Sequence, residues 1–238
     1  MNKDDICIII PSRIGSTRLK NKPLLEINGM TLIQRVAINA LNITENVYIA
    51  TDSILIKDNL KHITNNVVMT SSNHISGTDR VCEAANKLNL DDNTFILNLQ
   101  GDEPFIPNEL ISNVINDYSK NTCNVITVSS EISSNEDLNN PNCVLVEIDN
   151  NNYATSFART GNTENPKRHI GIYGYNFKTL NQLVNLDTTK NELKHKLEQL
   201  RFLENNYSIY VSHYQGYMPN GIDTEDDLKA AAEYLLNK

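Results

Sequence analysis

Three cations follow a short apolar stretch near the start of the chain, at Arg13, Arg18 and Lys22. The run Ile8-Ile9-Ile10-Pro11 before them predicts a buried strand that ends where the basic loop begins. Ligands of open α/β sheets bind outside the carboxyl ends of such strands. Cationic side chains and unpaired backbone N–H groups suit a polyanion, most naturally a triphosphate. This stretch alone also fits a solvated basic loop.

Two acidic residues can complement these cations. Asp102 follows a predicted strand and a glycine, and Asp223 lies two residues after Gly221. Carboxylates in such places can hold a divalent cation beside a phosphate, although each alone fits a helix cap or a surface residue better. Taken with the cations, they match metal-assisted nucleotidyl transfer, in which the metal bridges nucleophile and phosphorus.

A third polar stretch, Ser76-Gly77-Thr78-Asp79-Arg80, precedes a helical pattern. Its glycine permits close backbone approach, and Thr78 or Asp79 can cap the helix. Alone, the stretch is best interpreted as a helix cap.

The elements that must position these residues alternate regularly in the first half. Hydrophobic periodicity predicts strands at 8–10, 47–50, 67–69 and 95–99, and helices at 31–41, 54–61, 79–88 and 107–118. This alternation predicts an α/β fold with a mostly parallel central sheet and helices on both faces. It places Arg13, Asp52, Gly77 and Asp102 along one edge of the sheet.

The second half has a different pattern. It predicts strands at 124–130, 143–148, 153–159, 169–175 and 207–211, helices at 180–184 and 192–204, and a closing helix through 228–235 capped by Thr224. Without an internal repeat or a Ser/Pro-rich linker, we expect a single domain over 1–238 whose second half is inserted over the edge of the sheet.

Composition excludes several classes of protein. The net charge of −8 and the pI of about 5.1 argue against sequence-independent nucleic-acid binding, and the 39% hydrophobic content supports a proper core. The four cysteines are far apart, which disfavours a disulfide framework or a zinc site. No apolar run approaches the length of a membrane span. We expect a soluble, cytoplasmic protein that binds neither membrane nor nucleic acid.

Seven segments of the chain form a specific set, at 11–24, 50–52, 74–80, 98–104, 168–175, 197–201 and 221–224. Together they resemble the 3-deoxy-D-manno-octulosonate cytidylyltransferase (CMP-Kdo synthetase) family. The resemblance covers nearly the whole chain and implies a Rossmann-like nucleotidyltransferase fold. It also implies a CTP-binding half at about 1–120, a part for sugar-acid binding and dimerisation at about 121–220, and a closing metal-site turn and helix at 221–238.

The resemblance assigns roles to individual residues. Arg13, Arg18 and Lys22 would hold the CTP phosphates, and Asp102 and Asp223 would bind Mg²⁺, which makes these five the catalytic set. The other implied nucleotide-binding residues are Pro11, Ser16, Asp52, Ser76, Thr78, Arg80 and Gln100. The implied sugar-acid contacts are Gln100, Arg159, His169, Tyr173, Glu198 and Gln199.

The activity implied is transfer of CMP from CTP to the anomeric hydroxyl of a sugar acid, with release of pyrophosphate, for lipopolysaccharide or capsule biosynthesis by a homodimer. Arg159 or His169 would pair with the sugar carboxylate, and the guanidinium is the better partner because it is fork-shaped. Glu198 and Gln199 would bind sugar hydroxyls, although an ordinary helix face is the alternative.

The chain departs from the family beside the implied sugar pocket. A polar loop follows Arg159 where the family usually has an Ile-Pro-Trp-type segment, and the chain has no tryptophan. The usual Pro-Leu-Glu start before Leu197 is replaced by residues 190–193, and His195 follows. The acceptor is therefore expected to be Kdo or a modified form, such as its 8-amino analogue.

Two other interpretations stay open. One keeps the fold and changes the acceptor, as in a CMP-nonulosonate synthetase or another sugar nucleotidyltransferase. The other is a non-catalytic nucleotide-binding module, which has less need of both Asp102 and Asp223.

Overall fold

The computed structural model describes residues 5–16, 18–132, 138, 140, 143–159, 166–216, 218 and 221–236. Internal packing divides the chain into two compact units. We call residues 2–112 with 217–238 the N-terminal unit, and residues 113–216 the middle unit. The expectation of a single domain over 1–238 stays a prediction.

The regular elements are as follows in chain order. The strands are β1 (Ile6–Ser12), β2 (Glu26–Ile27), β3 (Met30–Thr31), β4 (Val47–Thr51), β5 (Val67–Met69), β6 (Phe95–Asn98), β7 (Val125–Ser130), β8 (Leu145–Ile148), β9 (Ala154–Ala158), β10 (Lys167–Asn176) and β11 (Ile209–Tyr214). The α-helices are α1 (Leu32–Leu41), α2 (Ile54–Leu60), α3 (Gly77–Lys87), α4 (Asn108–Lys120), α5 (Phe177–Val184), α6 (Lys190–His195), α7 (Gln199–Glu204) and α8 (Glu225–Leu236). A 3₁₀ turn covers Lys22–Leu24.

The N-terminal unit contains a parallel sheet in the order β6-β1-β4-β5. Every residue of β1 is buried. That burial explains the continuous apolar run, since a parallel strand with neighbours on both sides and layers on both faces needs apolar side chains throughout. The predicted α/β class is confirmed.

The Asn28-Gly29 pair forms the predicted turn. Both residues have positive φ angles, 47° and 72°, and they connect β2 to β3 as an antiparallel hairpin. Thr31 then caps α1, because its side chain accepts a hydrogen bond from the backbone N–H of Gln34.

The middle unit contains the predicted second-half sheet. Its strands run in the order β11-β7-β10, with β7 parallel to β11 and antiparallel to β10. β8 pairs in antiparallel fashion with both β9 and β10. Across the described residues of both units, no helix combines the length and apolar character needed to cross a membrane.

Two details of the predicted elements are wrong. The single helix expected at 192–204 is two short helices, α6 and α7, separated by Lys196 with a φ of 54°. α3 begins at Gly77, so its cap is Ser76 and neither Thr78 nor Asp79. Asp79 instead accepts from the backbone N–H of Ser76 and completes a capping box. Residues 160–165 of the predicted polar loop lie outside the described residues.

Candidate active site

The basic loop begins at the end of β1, and hydrogen bonds fix its conformation. The carboxylate of Asp52, just after β4, accepts from the backbone N–H of Ile14 at 3.3 Å. Ser16 Oγ accepts from the backbone N–H of Leu19 at 3.4 Å. Asn21 adopts a left-handed conformation that turns the chain into the 3₁₀ segment beginning at Lys22. The loop therefore has a defined course between its cations.

Lys22 lies between the two predicted metal-binding acids. Its Nζ is 2.7 Å from Asp102 Oδ2 and 2.9 Å from Asp223 Oδ1. Arg18 adds a second cation, 3.0 Å from Asp223 Oδ1. The Lys22 side chain is 15% exposed, against 54% for Arg18. Residues far apart in sequence thus form one cluster of opposite charges.

The cluster keeps Lys22 protonated. Burial alone would lower its pKa, but the charges and hydrogen bonds of Asp102 and Asp223 outweigh that effect, and the pKa is raised. Lys22 therefore carries a full positive charge at physiological pH.

Each of the two acid-bearing turns contains a glycine. A Cβ on Gly101 would lie 2.9 Å from the carbonyl oxygen of Pro11, so only glycine lets the turn after β6 approach the end of β1. A Cβ on Gly221 would lie 2.8 Å from Glu103 Oε1. The backbone N–H of Ile222 donates to the carbonyl of Asp102 at 2.9 Å, which joins the two turns directly.

Apolar packing anchors the same turn from behind. Ile222 is completely buried in a cluster with Leu19, Ile27, Leu32 and Ala231. Burying an isoleucine side chain stabilises by roughly 2 kcal/mol. Leu19 belongs to the basic loop, and Ile222 precedes Asp223. The cluster therefore fixes the position of the basic loop relative to Asp223. Thr224 caps α8 as predicted, by accepting from the backbone N–H of Asp227.

Arg80 closes the other side of the site and is 2% exposed. Its guanidinium donates to Thr70 Oγ1 at 2.6 Å and to Asp52 Oδ2 at 3.1 Å. Asp52 therefore connects the basic loop to α3 and offsets the charge of Arg80, which a buried guanidinium requires.

These parts surround a cavity of about 260 Å³ within the N-terminal unit. All predicted nucleotide and metal residues of this unit line it except Asp52 and Thr78. The lining is Pro11, Ser12, Arg13, Ser16, Arg18, Lys22, Pro23, His74, Ile75, Ser76, Gly77, Arg80, Gln100, Gly101, Asp102 and Asp223. Thr78 is buried inside α3, and Asp52 lies behind the lining. Cations and acids thus line part of the cavity, and the uncharged stretch at Ser76 and Gly77 lines another.

The predicted sugar residues of the middle unit have different surroundings. His169 is buried between the rings of Phe157 and Tyr173, with centroids 5.1 and 5.6 Å away. Burial lowers its pKa to about 3, so the ring is neutral at physiological pH. Thr127 Oγ1 donates to the carbonyl of Ile172 at 2.7 Å and lies 2.9 Å from His169 Nε2. The hydroxyl therefore accepts from this ring nitrogen, which assigns the proton to Nε2.

Arg159 contacts the backbone where the expected long helix is broken. Its Nε donates to the carbonyl of His195 at 3.0 Å, and a terminal nitrogen donates to the carbonyl of Lys196 at 3.1 Å. In a continuous helix, these carbonyls would accept intrahelical hydrogen bonds from backbone N–H groups. The break between α6 and α7 thus presents two acceptors to Arg159.

Glu198 and Gln199 lie at the start of α7. Glu198 pairs with Arg201 at 3.1 Å, and Arg201 also lies 3.5 Å from Glu192. Gln199 is 4% exposed, so it is more enclosed than an ordinary surface residue of a helix. Arg201, for which the sequence suggested no role, holds Glu198 in place.

Known proteins resemble this chain in sequence and in fold. A family model described as cytidylyltransferase matches residues 7–209. The 3-deoxy-manno-octulosonate cytidylyltransferase of Psychromonas ingrahamii is 40% identical, over 96% of this chain and 98% of its own. That of Thermodesulfovibrio yellowstonii is 38% identical, over 97% of each chain. A solved CMP:2-keto-3-deoxy-manno-octonic acid synthetase complexed with CTP is 30% identical, with a TM-score of 0.89 over 98% of each chain.

The chain belongs to the 3-deoxy-manno-octulosonate cytidylyltransferase family. The resemblance seen in the seven segments is confirmed over nearly the full chain. A cytidylyltransferase from Leptospira borgpetersenii, 18% identical with a TM-score of 0.63, shares the fold.

Two polar side chains of the cavity, Ser12 and His74, were assigned no role by the sequence. Ser12 Oγ is buried and has no hydrogen-bond partner among the described residues. A hydroxyl at the end of a buried strand was the available signal. His74 begins one of the seven segments, and its ring pairs with Glu83, a helix residue that no motif indicated.

Proposed function

We propose that this protein transfers CMP from CTP to the anomeric hydroxyl of Kdo or a closely related 2-keto-3-deoxy sugar acid and releases pyrophosphate. Family membership supports the reaction. The single structural observation that carries it is the cluster in which Lys22 and Arg18 meet Asp102 and Asp223 at the edge of the parallel sheet.

The chemistry needs charge neutralisation more than a covalent partner. When the anomeric hydroxyl attacks the α-phosphorus, negative charge builds on the phosphate oxygens and on the leaving pyrophosphate. Arg13, Arg18 and Lys22 are the cations of the basic loop that line the cavity. Lys22, which is fully protonated, would stabilise that charge.

Asp102 and Asp223 would hold Mg²⁺, whose chemistry when bound is to neutralise and orient the phosphate oxygens. Carboxylate oxygens are ligands that Mg²⁺ prefers, and it usually takes few of them beside phosphates and water. In the described ranges, no group of three or more His, Cys, Asp or Glu side chains is placed to hold a metal ion. Chelation with EDTA is expected to abolish turnover, and added MgCl₂ to restore it.

Arg159 would bind the carboxylate of the sugar acid. Its guanidinium has the fork geometry that matches a carboxylate, whereas the neutral ring of His169 lacks the charge. Glu198 and Gln199 would contact sugar hydroxyls, with Arg201 fixing Glu198. His169 would support Tyr173 beside it.

A substrate panel tests the proposal. Pyrophosphate release is measured with CTP, UTP or GTP against Kdo, its 8-amino analogue and a nonulosonic acid, and mass spectrometry identifies the product. CTP with a Kdo-type acid should be the best pair. Preference for UTP or GTP, or for the nonulosonic acid, would contradict the proposal, and a clear preference for unmodified Kdo would remove the modified acceptor.

We further propose a cytoplasmic homodimer that serves lipopolysaccharide or capsule biosynthesis, as the resemblance implies. Light scattering of the purified protein should give twice the chain mass of 26.8 kDa. A monomer at assay concentration would contradict the dimer and leave the reaction unaffected.

A further inference from the structure

A short exposed segment forms one wall of the cavity. Residues 70–76 run from the end of β5 to the cap of α3 without regular secondary structure, and Ile75 is 92% exposed. His74, Ile75 and Ser76 line the cavity. Because this segment makes few backbone hydrogen bonds of regular secondary structure, side-chain contacts are needed to fix its conformation.

Arg80 holds the first residue of the segment, Thr70, and one carboxylate holds the residues that follow. Glu83, on the second turn of α3, accepts from the backbone N–H of Ser71 at 2.9 Å and pairs with the ring Nε2 of His74. Lys87, one turn further along, donates to Glu83 Oε1 at 2.7 Å and to the carbonyl of Met69 at 2.7 Å. Glu83 and Lys87 together thus tie the start and the middle of the segment to α3.

The charge of Glu83 is fixed by these partners. Burial would raise its pKa, but hydrogen bonds from Lys87, Ser71 and His74 lower the pKa to about 2. The side chain is therefore a carboxylate at every pH at which the protein is assayed.

The far end of the segment is held separately. Ser76 and Asp79 exchange two hydrogen bonds in the capping box of α3. Both ends of the wall are therefore held, and its middle, which contains His74, depends on Glu83. Glu83 itself is not one of the described residues that line the cavity, so any effect on a ligand is indirect.

We propose that Glu83 is a positioning residue for the nucleoside: it holds His74 and its neighbours as the wall against which the base and ribose of CTP bind. The inference rests on the proposed function, because it takes the triphosphate to lie at Arg13, Arg18 and Lys22. The nucleoside then lies toward the uncharged stretch at Ser76 and Gly77. Neither the family resemblance nor any motif assigned Glu83 a role.

Glu83→Gln tests this with a substitution of nearly equal size. The amide keeps one acceptor oxygen but loses the charge that pairs with Lys87 and one of the acceptor positions. KM for CTP is expected to rise about tenfold, since a hydrogen bond to a charged group contributes that order of effect. The kcat and the KM for the sugar acid are expected to stay within about twofold, because Glu83 supports only the wall proposed for the nucleoside.

Inhibition by inorganic tripolyphosphate separates positioning from general damage. This ion has no nucleoside and binds only through its charges, so its inhibition constant should be unchanged in Glu83→Gln. Glu83→Asp, which keeps the charge on a shorter side chain, should recover part of the CTP affinity. Glu45→Gln removes an exposed carboxylate of the same unit and should behave as the wild type.

Two results would overturn the proposal: an unchanged KM for CTP, or equal weakening of CTP and tripolyphosphate. If the wild type shows no CTP turnover, the proposed function fails on its own. Calorimetric titration of CTP and tripolyphosphate into the same variants then still tests Glu83 separately.

Discussion

The predicted phosphate site and the predicted sugar residues are built in opposite ways. In the N-terminal unit, Lys22, Asp102 and Asp223 are charged, partly exposed and paired with one another across long sequence separations. In the middle unit, His169 is buried and neutral, and Arg159 donates to backbone carbonyls. A triphosphate needs fixed cations whatever sugar follows, whereas a sugar is bound through shape and individual hydrogen bonds. The contrast explains why the first set is recognisable by residue type and the second is not.

The largest expected effect is on the acids. Asp102→Asn should lower kcat by about a thousandfold or more, because a metal contributes several kcal/mol to charge stabilisation. The variant should fold, since an amide can still accept from Lys22. Pyrophosphate release and thermal melting measure the two effects, and Asp58→Asn, which alters an exposed acid on α2, is the control. Intact turnover in Asp102→Asn would remove the metal role and favour a non-catalytic module.

Lys22→Met comes next. Loss of one preorganised charge should lower kcat by about a hundredfold, the scale seen when one donor to a developing oxyanion is removed. Lys20→Met, which alters an exposed cation of the same loop, should change kcat less than twofold. If both variants lose activity equally, the loop acts through its overall charge and the position of Lys22 has no special value.

The protonation of His169 should change the free energy of unfolding. Its pKa is lowered to about 3 in the folded protein from 6.5, so the unfolded chain takes up the proton first as pH falls. The stability that a neutral His169 contributes is complete above the unfolded pKa and is lost as pH falls toward the folded one. Urea unfolding should show a loss of about 2 kcal/mol between pH 6.5 and pH 5.

His169→Phe should flatten that loss, because no group is left to take up the proton. His62→Gln, at an exposed position, should keep the full pH dependence. If the unfolding free energy of the wild type does not change between these pH values, His169 is charged in the folded protein. The contrast between a neutral sugar region and a charged phosphate site would then be wrong.

Arg159→Lys should have the smallest effect and the most selective one. A lysine cannot replace a bidentate fork, so KM for the sugar acid is expected to rise about tenfold while KM for CTP is unchanged. Lys178→Arg, an exposed change in α5, controls for surface charge. A larger change in KM for CTP than for the sugar would place Arg159 with the nucleotide and undo the division between the two regions.

Local patterns predicted the N-terminal unit well. The apolar run before Pro11 predicted β1, and the Asn28-Gly29 pair predicted the hairpin turn. Thr224 caps α8 as expected. Each of these signals depends on neighbours in the sequence. Asp102 was expected near the basic loop because parallel strands bring their carboxyl ends to one edge. Asp223 was grouped with these residues by the chemistry of its side chain and by the family resemblance.

The features that sequence reasoning did not predict depend on distant residues. The break at Lys196 lies beside contacts from Arg159, 37 residues earlier, which no periodicity contains. The burial of His169 depends on Phe157 and Thr127 on other strands. Ser76, rather than Thr78, caps α3 because the helix starts two residues earlier than its apolar pattern. Asp52 links the basic loop to α3 because its carboxylate accepts hydrogen bonds from both Ile14 and Arg80. No local sequence pattern contains these two contacts.

Isotope transfer tests the central claim most directly. The protein is incubated with Mg²⁺, Kdo and CTP labelled at the α-phosphorus in one sample and at the γ-phosphorus in another, and the products are separated. Nucleotidyl transfer predicts that the α label moves into the sugar product while the γ label leaves as pyrophosphate. A γ label found on the sugar, or both labels remaining in CTP, would contradict the assignment of the Lys22, Asp102 and Asp223 cluster to this reaction.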